Sequence, residues 1–190
     1  RVALAHGMYR AYDGALADDR GQVQRLAEWT RIAPGGVYIW GYYANFANFM
    51  YPCNDLFDMG PNFRLYKKYG VRGVFAQLPL GEFADFVDFR CWLYAKLLWN
   101  PDQDEHKLFV EWTDGVCGKG APLVRDYMDL RLKTRRTPQA FDVISSYQLI
   151  EKALAATADD AAAHWEVEKI SAGLIASMIA GYKDTAAAAA

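Results

Sequence analysis

Aromatic and amide side chains follow one another closely between Val37 and Phe46 of this 190-residue chain. Trp40, Tyr42 and Tyr43 supply flat apolar rings, and Asn45 supplies an amide shortly after them. A pyranose sugar presents a face of weakly polar C–H groups, which aromatic rings cover, and an edge of hydroxyls, which amides bind. The segment therefore suits a sugar site, although the same aromatics would also suit the packing of a core.

Four further side chains could serve such a site because they stand at or after the ends of predicted strands. His6 ends the first strand, and Asn54 lies in the long loop after the aromatic segment. Gln77 ends the third strand and can bind a sugar hydroxyl or an acetamide. Glu82 follows Gln77 among apolar neighbours and is the best local carboxylate for catalysis or hydroxyl binding.

Each of these four residues also has a structural interpretation, and both interpretations stay open. A lone histidine more often has a structural role or simply lies on the protein surface, and an asparagine in a loop often forms a turn. Gln77 could fill the interior of a barrel. Glu82 could simply favour the amino-terminal end of a helix macrodipole.

The first hundred residues alternate short apolar runs with helical periodicity, which is typical of βα units and a parallel sheet. The apolar runs predict three strands, at Val2 to Ala5, Val37 to Trp40 and Val71 to Ala76. Each strand is followed by a predicted helix, and these helices lie at Gly21 to Ile32, Pro61 to Tyr69 and Glu82 to Trp99.

Beyond Asn100-Pro101 every apolar periodicity is helical. The pattern predicts four further helices, at Asp104 to Thr113, Ala121 to Leu132, Phe141 to Ala156 and Ala161 to Tyr182. The closing run Ala186 to Ala190 fits a helical tail or residues whose side chains were not identified, and we favour the second interpretation.

The sequence also predicts which side chains cap the helices, which face solvent and which pack. Asp18-Asp19 would cap the first helix, and Asn100 or Asp102 the helix after Pro101. Asp85 and Asp88 would face solvent. We expect Trp29, Trp92, Trp99, Trp112 and Trp165 to pack, and the basic run Arg131 to Arg136 to be a solvated helix end.

Composition excludes several classes of partner. Hydrophobic residues make up 53% of the chain, which predicts a folded protein, and the net charge of -2 gives no reason to expect nucleic acid. No apolar run is long enough to span a membrane. Cys53, Cys91 and Cys117 have no zinc-binding spacing, and at most one disulfide could form, so we expect buried free thiols. We also expect no metal and no cofactor.

Several short motifs between Val37 and Asp129 resemble, in the same order, the C-terminal part of the catalytic domain of glycoside hydrolase family 163. With weaker matches at its flanks, this resemblance covers roughly two thirds of the chain, and its most specific part is Leu98-Trp99-Asn100-Pro101 after Gly73-Val74-Phe75. The other motifs are Tyr38-Ile39-Trp40-Gly41-Tyr42 with Asn45-Phe46, Asn54-Asp55-Leu56, Gly60-Pro61-Asn62, Ala76-Gln77 and Gly81-Glu82-Phe83.

This resemblance implies an α/β fold, namely a (β/α)8 TIM-type barrel followed by helices. Residues 1–101 would be the C-terminal part of the barrel, its last three strand-helix units, and residues 102–185 a helical subdomain packed on it. The rest of the barrel, including the main catalytic acid, would come from sequence outside this chain.

The resemblance also implies an activity similar to endo-β-N-acetylglucosaminidases that cut the chitobiose core of N-glycans. In related retaining enzymes the acetamido group of the substrate is the nucleophile, while the protein supplies an acid and a group that orients the acetamide. The partner would be a glycan or glycoprotein, and an extracellular, periplasmic or cell-surface location is favoured.

Three hypotheses follow. In the first, the chain is part of a glycoside hydrolase, with Trp40, Tyr42, Tyr43, Asn45, Gln77 and Glu82 lining sugar subsites. In the second, it is a non-catalytic carbohydrate-binding protein or pseudoenzyme on the same scaffold. In the third, it is a structural module without a ligand, and the aromatics would be fully buried with no cleft beside them.

Overall fold

The computed structural model describes residues 2–6, 18–53, 55–133 and 140–188, and of residues 2–6, 140–141 and 182–188 it describes the backbone alone. Short 3₁₀ turns at Leu56–Asp58 and Gly118–Gly120 each lead directly into a helix. The described elements are β1 (Val2–His6), α1 (Arg20–Ile32), β2 (Val37–Tyr42), α2 (Met59–Lys68), β3 (Gly73–Gln77), α3 (Val87–Trp99), α4 (Glu105–Val116), α5 (Ala121–Lys133), α6 (Ala140–Ala156) and α7 (Ala161–Ala188).

The three strands form a parallel sheet in the order β1-β2-β3. His6 pairs with Gly41 across the first two strands, and Tyr42 pairs with Gln77 across the second and third. The carboxyl ends of all three strands therefore lie at one edge of the sheet. This is the arrangement that successive strand-helix units produce, and the complete barrel remains a prediction.

The two faces of the sheet differ in what covers them. Val37 and Ile39 of β2 are buried and belong to the same core as Leu26 of α1 and Leu93 of α3. Alternation along the strand turns Tyr38 and Trp40 to the other face, where both stay partly exposed. Among the described residues, helices thus cover one face of β2 and β3 and leave the opposite face partly exposed.

The helical part shares this core with the strand part. Trp112 of α4, Val124 of α5, Ile150 of α6 and Val167 of α7 are buried in one apolar cluster with the residues beneath the sheet. Helix α5 packs against α6, and α6 packs against α7. The segment from Glu105 onward therefore supports the strand part through continuous packing.

The main disagreement with the predicted elements lies before α3, which begins at Val87 and not at Glu82. Residues 81–86 form turns, and Phe86 adopts a left-handed backbone conformation with φ of 49° that no helix interior accepts.

One of the two predicted helix caps is present in the structure, and the other is formed by a different residue. Asp19 caps α1 through its side chain, as predicted, whereas Asp104 caps α4 in place of Asn100 or Asp102.

Candidate functional site

Trp40 and Gln77 meet on the open face of the sheet, near the carboxyl ends of β2 and β3. The indole Nε1 of Trp40 donates a hydrogen bond to Oε1 of Gln77 over 3.1 Å. Because an indole N–H can only donate, the amide must present its oxygen to Trp40, and its Nε2 points elsewhere. The pair therefore offers a fixed aromatic ring beside an amide with N–H groups to donate.

Further rings extend this surface. Phe75, the register partner of Trp40 on β3, contacts the Trp40 ring edge to face with centroids 4.7 Å apart. The ring of Tyr42 is inclined by 29° to that of Trp40 with centroids 6.5 Å apart, and it meets Phe46 edge to face at 5.4 Å. Trp40 is 42% exposed and Phe75 is 55% exposed, so each ring keeps surface that a ligand could contact in the described structure.

Tyr43, predicted to line the sugar site, instead lies beneath it and supports it. Its side chain is buried, and its ring lies against Gly41, where a Cβ would stand 2.4 Å from Tyr43 Cε2. Glycine at position 41 is therefore required by the close approach of this ring. Burial, reinforced by the neighbouring Tyr66, raises the pKa of Tyr43 well above its ordinary value, so the phenol stays neutral.

A buried cluster of four charges fixes the loop that follows β2. We call Asp55, Asp85, Arg90 and Arg131 the Arg-Asp cluster. Arg90 is fully buried and pairs with Asp55 at 2.5 Å and with Asp85 at 2.9 Å. Arg131 binds both oxygens of Asp85, at 2.6 and 2.8 Å.

The Arg-Asp cluster also holds backbone groups of that loop. The carbonyl of Cys53 accepts from Arg90 Nη2 at 2.7 Å and from Arg131 Nη2 at 2.9 Å, and its N–H donates to Asp85 at 3.0 Å. The carbonyl of Tyr43 accepts from Arg90 at 3.3 Å. The loop is therefore anchored at its start by Tyr43 and near its end by Cys53 and Asp55.

The charges of this cluster set its protonation. Burial would raise the pKa of Asp85, but the guanidinium groups of Arg131 and Arg90 outweigh burial and hold that pKa below its ordinary value. Burial raises the pKa of the Cys53 thiol to about 12, which keeps this sulfur protonated and unreactive.

The other candidate residues contribute differently. Asn45 is half-buried, and its side-chain oxygen accepts from the backbone N–H of Ala47 in a local turn. Glu82 lies in an exposed turn and not in an apolar pocket, so its predicted catalytic role stays a prediction. Asn54 and the side chain of His6 lie outside the described residues, and the backbone of His6 ends β1 beside Gly41.

Three sequence predictions for neighbouring residues are wrong. Asp85 and Arg131, expected at the solvent, are buried in the Arg-Asp cluster because each satisfies the charge of the other. Trp99, expected to pack, is 90% exposed at the end of α3, and Trp29 and Trp165, also expected to pack, are 39% and 42% exposed. Charge pairing between distant segments and the exposed side of a helix end are tertiary properties, and helical spacing alone does not reveal them.

Phe75 and Arg90 are two further residues of the site that sequence reasoning did not assign to it. Phe75 lies in the predicted strand Val71 to Ala76, and Arg90 lies at the same helical spacing as the apolar residues of the predicted helix Glu82 to Trp99. A signal for Arg90 was available, since an arginine at an inward helical position requires acidic partners.

Some classes of site and location are not indicated. No group of three or more His, Cys, Asp or Glu side chains in the described ranges could hold a metal ion. None of the described helices is long and apolar enough to cross a membrane.

Comparison with known proteins gives a family but no relative of known activity. A family profile whose description reads "Domain of unknown function (DUF4838)" matches residues 5–129. This segment includes all of the Trp40 and Gln77 surface and three members of the Arg-Asp cluster, while Arg131 falls just beyond it. No curated protein and no solved structure matches the chain significantly.

Proposed function

The chain belongs to the DUF4838 family, and we propose that it supplies sugar-binding subsites of a glycoside hydrolase that acts on N-acetylglucosamine-containing glycans. The single observation that carries this proposal is the Trp40 and Gln77 pair, which stands partly exposed at the carboxyl edge of a parallel sheet. In strand-helix folds that edge is where ligands bind.

The open face of the sheet supports a location inside a barrel. In a (β/α)8 barrel, helices cover the outer side of every strand, and the inner sides face one another. Here helices cover Val37 and Ile39, while Tyr38, Trp40 and Phe75 face away from them. On our proposal, further strands complete the barrel beside this face, and Trp40 and Gln77 lie at its mouth.

The chemistry of the pair fits an N-acetylated sugar. The ring of Trp40 can cover the C–H face of a pyranose, and its N–H is already engaged by Gln77. Nε2 of Gln77 can then donate to the carbonyl oxygen of an acetamido group. Such a donor would orient the acetamide, which is the role the protein plays when the substrate supplies the nucleophile.

Catalysis needs in addition a carboxylic acid beside the scissile bond. Glu82 is the candidate in this chain, and its exposed position in a turn favours an acid from another strand of the completed barrel. Residues of this chain would then bind and orient the sugar, and Gly41 with Tyr43 would fix the strand end on which Trp40 stands.

The second candidate is a carbohydrate-binding protein without catalytic activity on the same scaffold. The exposed position of Glu82 favours it as much as it favours an external acid. The third hypothesis, a module without a ligand, required fully buried aromatics with no cleft beside them. In the described structure Trp40 and Phe75 are partly exposed, whereas Tyr43 is buried.

Incubation of the full-length protein with an N-glycosylated protein, followed by mass spectrometry of the released glycans, tests the proposal. Cleavage within the chitobiose core, reduced by Trp40→Ala and by Gln77→Ala, would support the hydrolase. Binding of chitobiose without release would favour the non-catalytic protein. Neither binding nor release, in a folded sample, would overturn both.

A further inference from the structure

A second surface with sugar-binding chemistry lies beyond the strand ends. A groove of about 750 Å³ runs between the loop after β2, the loop after β3 and helix α7. Asn48 and Tyr51 line it from the first loop, Phe83 from the second, and Trp165 and Glu168 from the helix. No prediction from sequence assigned a function to any of these side chains.

The floor of this groove includes an aromatic pair. The rings of Phe83 and Trp165 meet edge to face with centroids 5.6 Å apart. Phe83 is 41% exposed and Trp165 is 42% exposed, so each keeps part of its ring available to a ligand. Two rings held at a steep angle can contact the C–H face of one sugar and the rim of the next.

Polar groups border the aromatic pair. The side-chain oxygen of Asn48 accepts from the backbone N–H of Met50 at 3.0 Å, which leaves its NH₂ group to donate. The carboxylate of Glu168 is partly exposed, 3.7 Å from Nε2 of His164. An amide donor and a carboxylate acceptor beside exposed rings can bind the hydroxyl edge of a sugar, while Ile175, Ala176 and Ile179 of α7 complete the groove with apolar surface.

A line of rings connects the two surfaces. Trp40 contacts Tyr42, Tyr42 contacts Phe46, and Phe46 contacts Phe49 at 5.5 Å. Phe49 stands between Asn48 and Met50, both of which line the groove. A chain of sugar residues that begins at Trp40 would therefore meet aromatic side chains along its path toward Trp165.

We propose that this groove is an accessory subsite for the more distant sugar residues of the glycan bound at Trp40. The inference rests on the proposed function, because it assigns the same ligand to both surfaces. It implies that ligand length determines which substitutions weaken binding. A short ligand occupies the Trp40 surface alone, whereas a longer one reaches Phe83 and Trp165.

Equilibrium binding of chitobiose and of the N-glycan core pentasaccharide to the full-length protein, by surface plasmon resonance, tests this inference. We expect Trp165→Ala to weaken pentasaccharide binding about tenfold, the loss of one aromatic contact, and to leave chitobiose binding unchanged. Phe83→Ala should also weaken pentasaccharide binding and leave chitobiose binding unchanged. Because Phe83 lies in a loop, this variant still tests the inference if Trp165→Ala fails to fold.

Trp29→Ala is the matched control, since Trp29 on α1 is 39% exposed and outside the groove, and it should bind both sugars as the wild type does. Unchanged pentasaccharide affinity in Trp165→Ala and Phe83→Ala, with both sugars weakened in Trp40→Ala, would overturn the accessory subsite and leave the proposed function standing. Failure of the wild type to bind either sugar would overturn both.

Discussion

Asp85 accepts two hydrogen bonds from the guanidinium group of Arg131, at 2.6 and 2.8 Å, although Arg131 lies 46 residues further along the chain. This contact ties helix α5 to the loop that follows β3. Arg90 joins the same carboxylate to Asp55 and to the loop after β2. The Arg-Asp cluster thus fixes both loops that border the proposed sugar site.

Arg90→Met should destabilise the protein severely. The substitution leaves Asp55 without its guanidinium partner and Asp85 with one partner fewer, and breaking a buried pair in this way costs about 3–5 kcal/mol. Lys96→Met on the same helix is the control, because its partner Glu111 is exposed and such pairs contribute about 1 kcal/mol or less. Urea denaturation measures both, and equal losses would contradict this account.

Acid should destabilise the protein through Asp85. Its pKa is below the ordinary aspartate value in the folded state, so its stabilising contribution is complete above the pKa of the unfolded chain. The contribution is lost as pH falls below about 4 toward the folded pKa. Urea midpoints measured at falling pH should therefore drop steeply in this range.

A pair of variants separates Asp85 from other carboxylates. Asp85→Asn should flatten the acid dependence, in addition to lowering stability at neutral pH. Asp159→Asn should preserve it, because the pair between Asp159 and Lys119 is exposed and screened by salt. An acid dependence unchanged in Asp85→Asn would show that other groups cause it.

The three cysteines should differ in reactivity. Cys91 is exposed, whereas Cys53 and Cys117 are buried, and burial raises the pKa of each buried thiol to about 12. We expect Ellman's reagent to modify Cys91 in the native protein and the other two after denaturation. Cys91→Ala should remove the native reaction, and rapid native modification of Cys53 would contradict the buried position of the loop.

Gly41→Ala should damage both stability and sugar binding. The added Cβ would stand 2.4 Å from Tyr43 Cε2, which forces the ring or the strand to move at a cost of about 1–3 kcal/mol. Gly115→Ala in α4 is the control, because its Cβ meets nothing within 4 Å, and it should be neutral or slightly stabilising. Thermal unfolding compares the two, and a Gly41→Ala variant as stable as Gly115→Ala would refute the close contact.

Periodicity predicted most of the helices and strands because these elements depend on local patterns. The helices from Ala121 onward begin at or within one residue of their predicted starts, since their amphipathic segments are rich in strong helix formers such as alanine and leucine. The start of α3 was missed because Phe86 adopts a left-handed conformation, which tertiary packing imposes and local propensity does not predict.

The site was predictable only where strand ends determine it. Trp40 and Gln77 were assigned from their places at neighbouring strand ends, and they are hydrogen bonded to each other. The partners of Arg90 could not be assigned, because Asp55 lies 35 residues away and Arg131 binds Asp85 from another helix. The groove beside Trp165 likewise depends on how α7 packs against two loops.

The central claim is that Trp40 and Gln77 together bind an N-acetylated sugar. The most direct test measures the affinity for chitobiose of the full-length wild type and of its Trp40→Ala and Gln77→Ala variants. We predict a loss of about tenfold or more in each variant, from removal of the ring face or of the amide donor. Trp99→Ala, at the far end of α3, should bind as the wild type does. Wild-type affinity in both Trp40→Ala and Gln77→Ala would contradict the claim.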